Sequence, residues 1–467
     1  MNDLALVRRL SRLLITAVAV CAMLALSLGL GGGASAAALT ARGVHGFAVV
    51  RPQYEYVGVA RSDTTFRCQT TTPPNCYGPK QIREAYEITP ILNKGITGKG
   101  RSIVIIDAYQ SPTITHDLQT FDSIFGLPDP PFTIVAPDGL TPFDPNDANQ
   151  VSWAGEITLD VEWAHAIAPD AHIVLVLAKS NQDTDILSAT RYAIRHNLGD
   201  VISQSFGEGE SCVDPKLLRQ EHELFLEATL KGITLFASSG DQGAAQYTCD
   251  GNSYFLSVSS PASDPLVTGV GGTKLIADGQ TGAYQSETAW NEPQYEAASG
   301  GGFSTIYPKP FYQVGTSGIG RYRGVPDVAY NAAVDGGVLA VWSSSGLGQD
   351  LVFRFGGTSA GSPQWAGITA LADQLGHHRV GFLNPAFYLI GHSPLYGQAF
   401  HDITTGNNTF TGTDANGNPV TINGYSAAKG WDPVTGWGTP RVAHLLPLLV
   451  AFGCGTSGRD LARARSL

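Results

Sequence analysis

The 467-residue sequence has few charged residues, and most of them are acidic. Charged side chains make up 15% of the chain, and 29 Lys and Arg stand against 40 Asp and Glu, which gives a formal net charge of −11. Nucleic-acid binding requires a clustered basic surface, and the sequence contains no basic stripe, so nucleic acid is excluded as a partner. The sequence also lacks the Cys-x-x-Cys and Cys/His spacings that are typical of zinc sites.

Beyond the amino terminus, the sequence has no apolar run long enough to span a bilayer. Residues 1–36 combine three arginines, an apolar run from Leu13 to Leu30, and the small-residue sequence Ala34-Ser35-Ala36. This order is typical of a secretory signal peptide; a membrane anchor is the alternative, because the run approaches spanning length. The sequence therefore predicts a secreted, extracellular protein that has no membrane contact after cleavage near residue 37.

One of the six cysteines lies in the predicted signal peptide, which leaves an odd number for the exported protein. Export permits disulfides. Cys68 and Cys76 flank a short loop that a local bridge would close, and Cys212 with Cys249 is the next pairing by elimination. Cys454 is then expected to be unpaired.

From residue 100 onward, short apolar runs rich in β-branched residues alternate with stretches of helical periodicity. The predicted strands are 102–106, 173–177, 201–205, 233–237 and 338–342, and the predicted helices are 156–168, 183–196 and 215–231. The alternation favours a doubly wound α/β fold with a mainly parallel sheet flanked by helices on both faces. We interpret residues 37–77 as a short leader, 78–455 as one catalytic domain and 456–467 as a tail.

Residues 355–363, with the sequence Phe-Gly-Gly-Thr-Ser-Ala-Gly-Ser-Pro, place Ser359 just before an expected helix. Gly356 and Gly357 permit a tight turn from a strand into that helix, and a helix start directs backbone N–H groups toward a developing anion. The pattern indicates a nucleophile for acyl transfer, most simply peptide hydrolysis. The alternative is a serine that only caps the helix.

Glu156 and Asp160 lie four residues apart in a predicted helix and share a face with Trp163 and Ile167. Like charges at this spacing destabilise a helix, so an acidic pair within an apolar stripe indicates a functional site; a solvated helix face is the alternative. Two close carboxyls titrate in coupled steps, so one can act as a base in acid, where histidine is protonated. A serine activated by this pair would work at about pH 3 to 5.

Asp241 follows the predicted strand 233–237, in the turn Ser238-Ser239-Gly240-Asp241-Gln242-Gly243. If this carboxyl is protonated, it can donate a hydrogen bond to a tetrahedral oxyanion, together with the backbone N–H of Ser359. The alternative is an ordinary Asp-Gly type of turn.

Together these motifs resemble the sedolisins, the serine-carboxyl peptidases, which are acid-acting relatives of subtilisin. The resemblance covers roughly residues 77–440 and includes several motifs in order: 103–109, 156–171, 203–207, 238–243, 267–273, 324–328, 357–363 and 402–438. It implies a subtilisin-like fold and a monomeric serine-type endopeptidase that acts on proteins or peptides. It also implies that residues 203–207 line the primary specificity pocket.

The resemblance assigns a role to each candidate catalytic residue. Ser359 would be the nucleophile, Glu156 the general base, Asp160 the partner that orients and modulates Glu156, and Asp241 the oxyanion donor. Asp107, at the end of the first core strand, would have a supporting role, or would be an ordinary strand-end residue.

The same resemblance implies one structural calcium ion in the loop-rich carboxyl-terminal region. Its ligands would be two carboxylates and three backbone carbonyls, from Asp402, Ile403, Ala428, Gly430 and Asp432, a donor set that suits a hard cation. Many relatives have Gly at the position of Ala428, but a carbonyl ligand requires only the backbone. The segment 414–418 begins like an EF-hand loop, but its glycine comes too early, so we interpret it as a turn.

One feature departs from the family, because sedolisins carry a large propeptide and only about 40 residues separate the predicted signal peptide from the catalytic region here. Activation by removal of a large propeptide is therefore not expected. Three alternatives to the main interpretation stay open: a catalytically silent homologue that binds peptides, an ordinary Asp-His-Ser subtilisin, and a glycosidase that uses Glu156 and Asp160. An ordinary subtilisin would need a histidine in a glycine-rich motif, and the sequence has no such motif. A glycosidase would need two carboxyls on opposite sides of the sugar, whereas Glu156 and Asp160 lie on one face of a helix.

Overall fold

The computed structural model describes residues 48–50, 53–61 and 65–455. The predicted signal peptide and tail lie outside the described residues. The described helices are Pro79–Ala85, Thr89–Leu92, Ile114–Phe125, Ala148–Ile167, Asp183–Arg195, Pro215–Leu230, Gly361–Gly376, Asn384–Gly391, Tyr396–Ala399 and Val442–Phe452. No helix in this part of the chain has both the length and the apolarity needed to cross a bilayer.

The central element is an eight-stranded sheet built from the apolar, β-branched runs of the sequence. Its order is Tyr284–Ala289, Thr268–Ala277, Thr234–Ser238, Val201–Gln204, Ser102–Ala108, His172–Ala178 and Phe132–Val135, and Val328–Asn331 also pairs with Thr268–Ala277. All pairings are parallel except the one with the edge strand Tyr284–Ala289. The mainly parallel sheet is therefore confirmed.

Two groups of helices cover this sheet. Ala148–Ile167 and Gly361–Gly376 pack against each other and against the central strands, while Asp183–Arg195 and Pro215–Leu230 form a second group that contacts the same sheet. Strands buried in this way have no solvated face, which explains why they are continuous apolar runs rather than alternating ones.

A separate four-stranded sheet contains one predicted strand and part of the predicted leader. Its order is Gln53–Val59, Leu351–Gly356, Gly337–Val341 and Cys76–Tyr77. The predicted strand at 338–342 forms, but it does not join the parallel sheet, because it pairs antiparallel with Leu351–Gly356. The leader thus contributes an edge strand next to the strand that leads into the Ser359 turn.

The remaining strands form two-stranded pairs around the two sheets. They are Glu208–Gly209 with Ser259–Ser260, Ala245–Tyr247 with Tyr254–Leu256, Asn291–Glu292 with Ala297–Ala298, Gly302–Pro308 with Tyr322–Val325, Phe400–His401 with Thr439–Pro440, and Phe410–Thr413 with Pro419–Ile422.

Two predicted disulfides are present, and one cysteine differs from its prediction. Cys68 bonds to Cys76 and Cys212 bonds to Cys249, as predicted. Cys454 is also disulfide-bonded, and none of the described cysteines is free. The prediction that Cys454 is unpaired is therefore wrong.

Candidate active site

The carboxyl ends of the parallel strands open into a cleft with a volume of about 380 Å³. Its walls include residues 205–209 after one central strand, residues 238 and 240–242 at the end of the next strand, and Thr358 with Ser359. Ligands of open α/β sheets bind at this end of the strands, so the three predicted motifs lie where a substrate would be received. No histidine lines the cleft among the described residues.

Ser359 lies in a single 3₁₀ turn, Thr358–Ala360, directly before the helix Gly361–Gly376. The turn needs glycine at residue 357, which has φ of 114°, and where an added Cβ would come within 2.7 Å of the Asp241 carboxylate. Ser359 is 7% exposed, and its hydroxyl donates a 3.3 Å hydrogen bond to the carbonyl of Ser205. The nucleophile candidate is thus held against the strand that lines the cleft.

The helix Ala148–Ile167, which we call the carboxylate helix, is buried on every side from Trp153 onward. It lies between Gly361–Gly376 on one side and the four-stranded sheet on the other; Trp163, for example, donates from its ring N–H to the carbonyl of Leu339 at 2.9 Å. A helix that is buried all round must be mostly apolar, so acidic residues within it need a reason other than solvation. The alternative of a solvated face is wrong.

Glu156 and Asp160 are fully buried in this helix, and their carboxyl oxygens accept no well-aligned hydrogen bond from the described residues. Burial raises the pKa of Glu156 well above its ordinary value, and the Asp160 charge raises it further. The nearby Ser359 hydroxyl opposes this rise of the Glu156 pKa, although that hydroxyl donates to Ser205 in the resting geometry. The serine therefore has a carboxyl within reach that has a raised proton affinity.

Asp107 and Ser205 extend this group of acids. Burial raises the pKa of Asp107 well above its usual range, with a further contribution from the Glu156 charge. Burial also raises the pKa of Asp160, the Asp107 charge adds to it, and the Ser205 hydroxyl lowers it. Three buried carboxyls and two serine hydroxyls thus lie together.

Sequence reasoning assigned the segment around Ser205 to substrate binding and missed its contacts with both Ser359 and the acid pair. The signal that could have found this role is the alternation Ser203-Gln204-Ser205. In a strand with a period of two, both hydroxyls face the same side.

Asp241 lies beside the same turn. Its Oδ1 accepts hydrogen bonds from the backbone N–H and from the hydroxyl of Thr358, both at 2.8 Å. Burial raises the pKa of Asp241 to about 6, and the two Thr358 bonds limit the rise. Below that pH the carboxyl carries a proton that it can donate.

An Asp-His-Ser subtilisin would require one histidine beside the serine, and the two histidines nearest to the candidate carboxylates in sequence, His116 and His165, are both engaged elsewhere. His116 is exposed and pairs with Asp350 at 2.7 Å, and His165 is buried and pairs with Asp122 at 2.9 Å. Neither contacts Ser359, so the described residues give no support to that alternative.

The five candidate calcium ligands come together in one loop region. Gly430 donates its N–H to Asp402 at 3.0 Å, and Ala428 donates to Asp432 at 3.0 Å. Tyr396 donates a hydrogen bond to Asp402 at 2.9 Å, and burial raises the pKa of Tyr396, with further contributions from the charges of Asp402 and Asp432. The donor set is oxygen only with two carboxylates, so it fits a hard divalent cation. Only two of the five proposed ligands are acidic side chains. No group of three or more His, Cys, Asp or Glu side chains that could hold a metal ion occurs in the described part of the chain.

The model of the subtilase family matches residues 148–385 of the chain. Kumamolisin of Bacillus sp. (strain MN-32) is 34% identical over 411 residues, covering 86% of this chain and 68% of kumamolisin. Sedolisin of Pseudomonas sp. (strain 101) is 34% identical over 357 residues, covering 73% of this chain and 56% of sedolisin. The solved structure of Pseudomonas sedolisin complexed with pseudo-iodotyrostatin has a TM-score of 0.68 and 29% identity, covering 81% of this chain and 99% of that one.

The chain therefore belongs to the sedolisin family and is a serine-type peptidase with a subtilisin-like fold.

Proposed function

We propose that this protein is a secreted, acid-acting endopeptidase in which Ser359 is the nucleophile and Glu156 its general base. The observation that carries the proposal is that the titratable group within reach of Ser359 is a buried carboxyl and not a histidine. A carboxyl can accept a proton in acid, where an imidazole is already protonated. The two disulfides agree with an exported protein.

In the first half of the reaction, the Ser359 Oγ bonds to the carbonyl carbon of the substrate while its proton passes to Glu156. The carbonyl oxygen becomes an oxyanion, which accepts hydrogen bonds from protonated Asp241 and from the backbone N–H of Ser359. Glu156 then returns the proton to the leaving nitrogen as the C–N bond breaks. This leaves an acyl-enzyme on Ser359 and frees the amine product.

In the second half, a water molecule replaces the amine. Its oxygen bonds to the acyl carbon while Glu156 takes one of its protons, and the Ser359 Oγ then leaves with that proton. Asp160, with Asp107 and Ser205 beside it, is the positioning residue for Glu156. Its charge raises the proton affinity of the base, and a proton shared within the group keeps the buried charge low.

The upper pH limit follows from Asp241. Its pKa of about 6 means that the oxyanion donor loses its proton as the pH rises through that value. An ionised Asp241 would repel the oxyanion instead of stabilising it, so the rate should fall on the alkaline side.

Protein or peptide substrates are supported by the shape of the cleft and by the backbone groups at its edge. Residues 48–50 of the chain itself lie along this edge, and Val49 exchanges two backbone hydrogen bonds with Gly207, of 3.2 and 3.3 Å. An extended substrate could add to the same edge by β-strand pairing.

We further propose that Asp402, Ile403, Ala428, Gly430 and Asp432 hold one structural calcium ion. Burial raises the pKa of Asp432 to about 6 in the protein alone, and a bound cation would keep this carboxyl ionised in acid. The ion would fasten the glycine-rich segment 402–438 to the domain and would supply stability rather than chemistry.

The decisive experiment is the pH-rate profile of the purified protein on a denatured protein substrate, compared with Ser359→Ala. We expect cleavage near pH 4, little cleavage at pH 8 and none with Ser359→Ala. Ser317→Ala, which changes an exposed serine, is the matched control and should keep full activity. A maximum near pH 8 would favour an Asp-His-Ser subtilisin. Peptide binding without cleavage at any pH would favour the silent homologue.

A further inference from the structure

Residues 48–50 of the chain lie in the main cleft as a short extended strand that is held from both sides. On one side, Val49 exchanges two backbone hydrogen bonds with Gly207, of 3.2 and 3.3 Å. On the other side, Ala48 donates its N–H to the backbone carbonyl of Asn181 at 2.8 Å. Val49, Asn181 and Gly207 all line the cleft. The strand therefore shows a path that an extended peptide can take through this part of the cleft.

The side chain of Asn181 adds a contact that backbone pairing does not require. Its Nδ2 donates a hydrogen bond to the carbonyl of Ala48 at 2.9 Å, so Asn181 binds both the C=O and the N–H of the same residue. Asn181 is 7% exposed, and it lies between the strand His172–Ala178 and the helix Asp183–Arg195. A hydrogen bond that is shielded from water in this way is electrostatically stronger than an exposed one.

Two further polar side chains fix the orientation of the Asn181 amide. The hydroxyl of Tyr109 donates to Asn181 Oδ1 at 2.9 Å, which leaves Nδ2 directed toward the strand in the cleft. The Asn149 side chain, which also lines the cleft, donates to the Tyr109 hydroxyl at 3.1 Å. The three side chains thus form a series of hydrogen bonds that ends on the peptide carbonyl. We call Asn181, Tyr109 and Asn149 the amide clamp.

Tyr109 is held in an unusual backbone conformation. It follows the strand Ser102–Ala108 and has φ of 59°, in the left-handed region that residues with a Cβ seldom adopt. Its N–H donates to the carbonyl of Ala178 at 2.9 Å, so pairing with the neighbouring strand helps to keep it there. Strained backbone of this kind clusters at functional sites, and the strained residue here is the one that orients Asn181.

The register of the strand in the cleft gives the position of this contact relative to the cleaved bond. In antiparallel pairing, a substrate residue opposite Ser205 comes two residues after the one opposite Gly207. Ser205 accepts the hydrogen bond from the Ser359 hydroxyl, so the substrate residue opposite Ser205 is the one whose carbonyl the serine would attack. The position of Val49 is then the third on the amino side of the cleaved bond, and the position of Ala48 is the fourth.

We propose that Asn181 is a positioning residue that binds a peptide substrate through the backbone of the fourth residue on the amino side of the cleaved bond. The inference rests on the proposed peptidase function. The Asn181 side-chain amide would donate to the carbonyl of that residue, its backbone carbonyl would accept the N–H, and Tyr109 with Asn149 would keep the amide oriented.

The amide clamp is suited to an acid-acting enzyme because none of its groups carries a charge in acid. Burial raises the pKa of the Tyr109 hydroxyl above its ordinary value, and amides do not titrate in this range. Since the clamp binds main-chain groups, it selects for the length of a substrate rather than for a side chain. Proline at the fourth position lacks the N–H and should be poorly accepted.

The first experiment measures kcat/KM for three fluorogenic peptides that differ only at the amino end. The first peptide has three residues before the cleaved bond and a free amine, the second has the same residues with an acetyl cap, and the third has a fourth residue before the cap. The cap adds the carbonyl that Asn181 Nδ2 would bind, and the fourth residue adds the N–H that the Asn181 backbone would bind. In the wild type we expect an increase of about fivefold to tenfold at each step.

Asn181→Ala should remove most of the first increase and keep the second, because it deletes the side-chain amide and leaves the backbone carbonyl. Tyr109→Phe, which deletes the orienting hydroxyl, should remove part of the first increase. Asn93→Ala changes an exposed asparagine at the end of the helix Thr89–Leu92 and should keep both. All three peptides compete equally with residues 48–50, so their ratios do not depend on that competition.

A first increase that survives Asn181→Ala, or an equal loss of both increases, would overturn the role of Asn181. If Asn181→Ala does not fold, Tyr109→Phe decides, and an unchanged first increase in that variant would overturn the proposal.

The second experiment is independent of catalysis and follows amide hydrogen exchange in Ser359→Ala protein, which cannot cut itself. Asn181→Ala should speed exchange of the Val49 N–H by about fivefold to tenfold, because the strand in the cleft loses one of the bonds that hold it. Asn93→Ala should leave this exchange rate unchanged. Equal rates in the two variants contradict the clamp. If no peptide is cleaved, the proposed function fails, and hydrogen exchange still decides whether Asn181 holds a peptide strand.

Discussion

The Asp241 carboxyl accepts hydrogen bonds from both the N–H and the hydroxyl of Thr358, the residue immediately before Ser359. One oxygen of Asp241 therefore fixes the turn that holds the serine, and Asp241 Oδ2 is the atom that an added Cβ at Gly357 would approach most closely, at 2.7 Å. A single acidic side chain thus fixes the turn and also lines the cleft.

Asp241→Ala should lower kcat much more than it changes KM. The substitution removes the proposed oxyanion donor, and loss of one such donor lowers kcat by about 10² to 10³. Steady-state kinetics near pH 4 measure the effect. Asp250→Ala, which changes an exposed aspartate in a nearby loop, is the control and should stay close to wild type. An Asp241→Ala enzyme with a normal kcat would assign the oxyanion contact to other groups.

Glu156→Gln should lower kcat by about 10² to 10⁴, because the amide cannot take the proton of Ser359. Glu162→Gln is the matched control. Glu162 is buried in the same helix, but it accepts a hydrogen bond from the Val341 N–H at 2.9 Å and is not beside the serine. Circular dichroism of both variants checks that the fold is kept. Similar losses in the two variants would indicate damage to the helix rather than loss of a base.

Local sequence patterns were sufficient to find the candidate site and four of the eight strands of the mainly parallel sheet, those at 102–106, 173–177, 201–205 and 233–237. The strands Phe132–Val135, Thr268–Ala277, Tyr284–Ala289 and Val328–Asn331 were not predicted. Ser359 could be recognised because the glycines and the helix start adjoin it in sequence, and Glu156 with Asp160 because four residues make one helical turn. Asp241 followed from its place at a strand end.

What could not be predicted depends on contacts between distant segments. The carboxylate helix is buried on all sides because a sheet assembled from residues 53–59, 76–77, 337–341 and 351–356 covers it. The sequence pattern of residues 148–167 alone therefore could not predict that the helix is buried on all sides.

The protein should be more stable in acid than at neutral pH. The pKa of Asp241 is about 6 in the folded state, above its ordinary value of 3.8, so the folded state binds a proton that the unfolded chain has lost. This contribution, on the order of 3 kcal/mol, is complete below about pH 4 and is lost as the pH rises through about 6. Burial raises the pKa of Asp107, Glu156, Asp160, Glu162 and Asp373 in the same direction.

His401 and His392 act in the opposite direction, because burial lowers the pKa of both, to about 4 for His401, and the unfolded chain then binds the extra protons. These two groups oppose a larger number of buried carboxyls, so the net slope should favour acid. Calorimetry of Ser359→Ala protein at pH 4, 5, 6 and 7 measures this slope without self-cleavage. A melting temperature that rises steadily from pH 4 to 7 would show that the buried carboxyls are paired in a way that keeps them ionised.

Removal of calcium should destabilise the protein without changing the chemistry at Ser359. Calcium at a hundredfold excess over its Kd stabilises the folded state by about 2.7 kcal/mol, so chelation should lower the melting temperature, and added calcium, but not magnesium, should restore it. Asp432→Asn should weaken this response, because Asp432 is 2% exposed and would supply one of the two proposed carboxylate ligands. Asp414→Asn is the control, since Asp414 lies in an exposed turn and accepts hydrogen bonds from the backbone N–H groups of Asn416 and Asn418. A melting temperature that chelation leaves unchanged, or a response that Asp432→Asn does not alter, would place any bound calcium elsewhere.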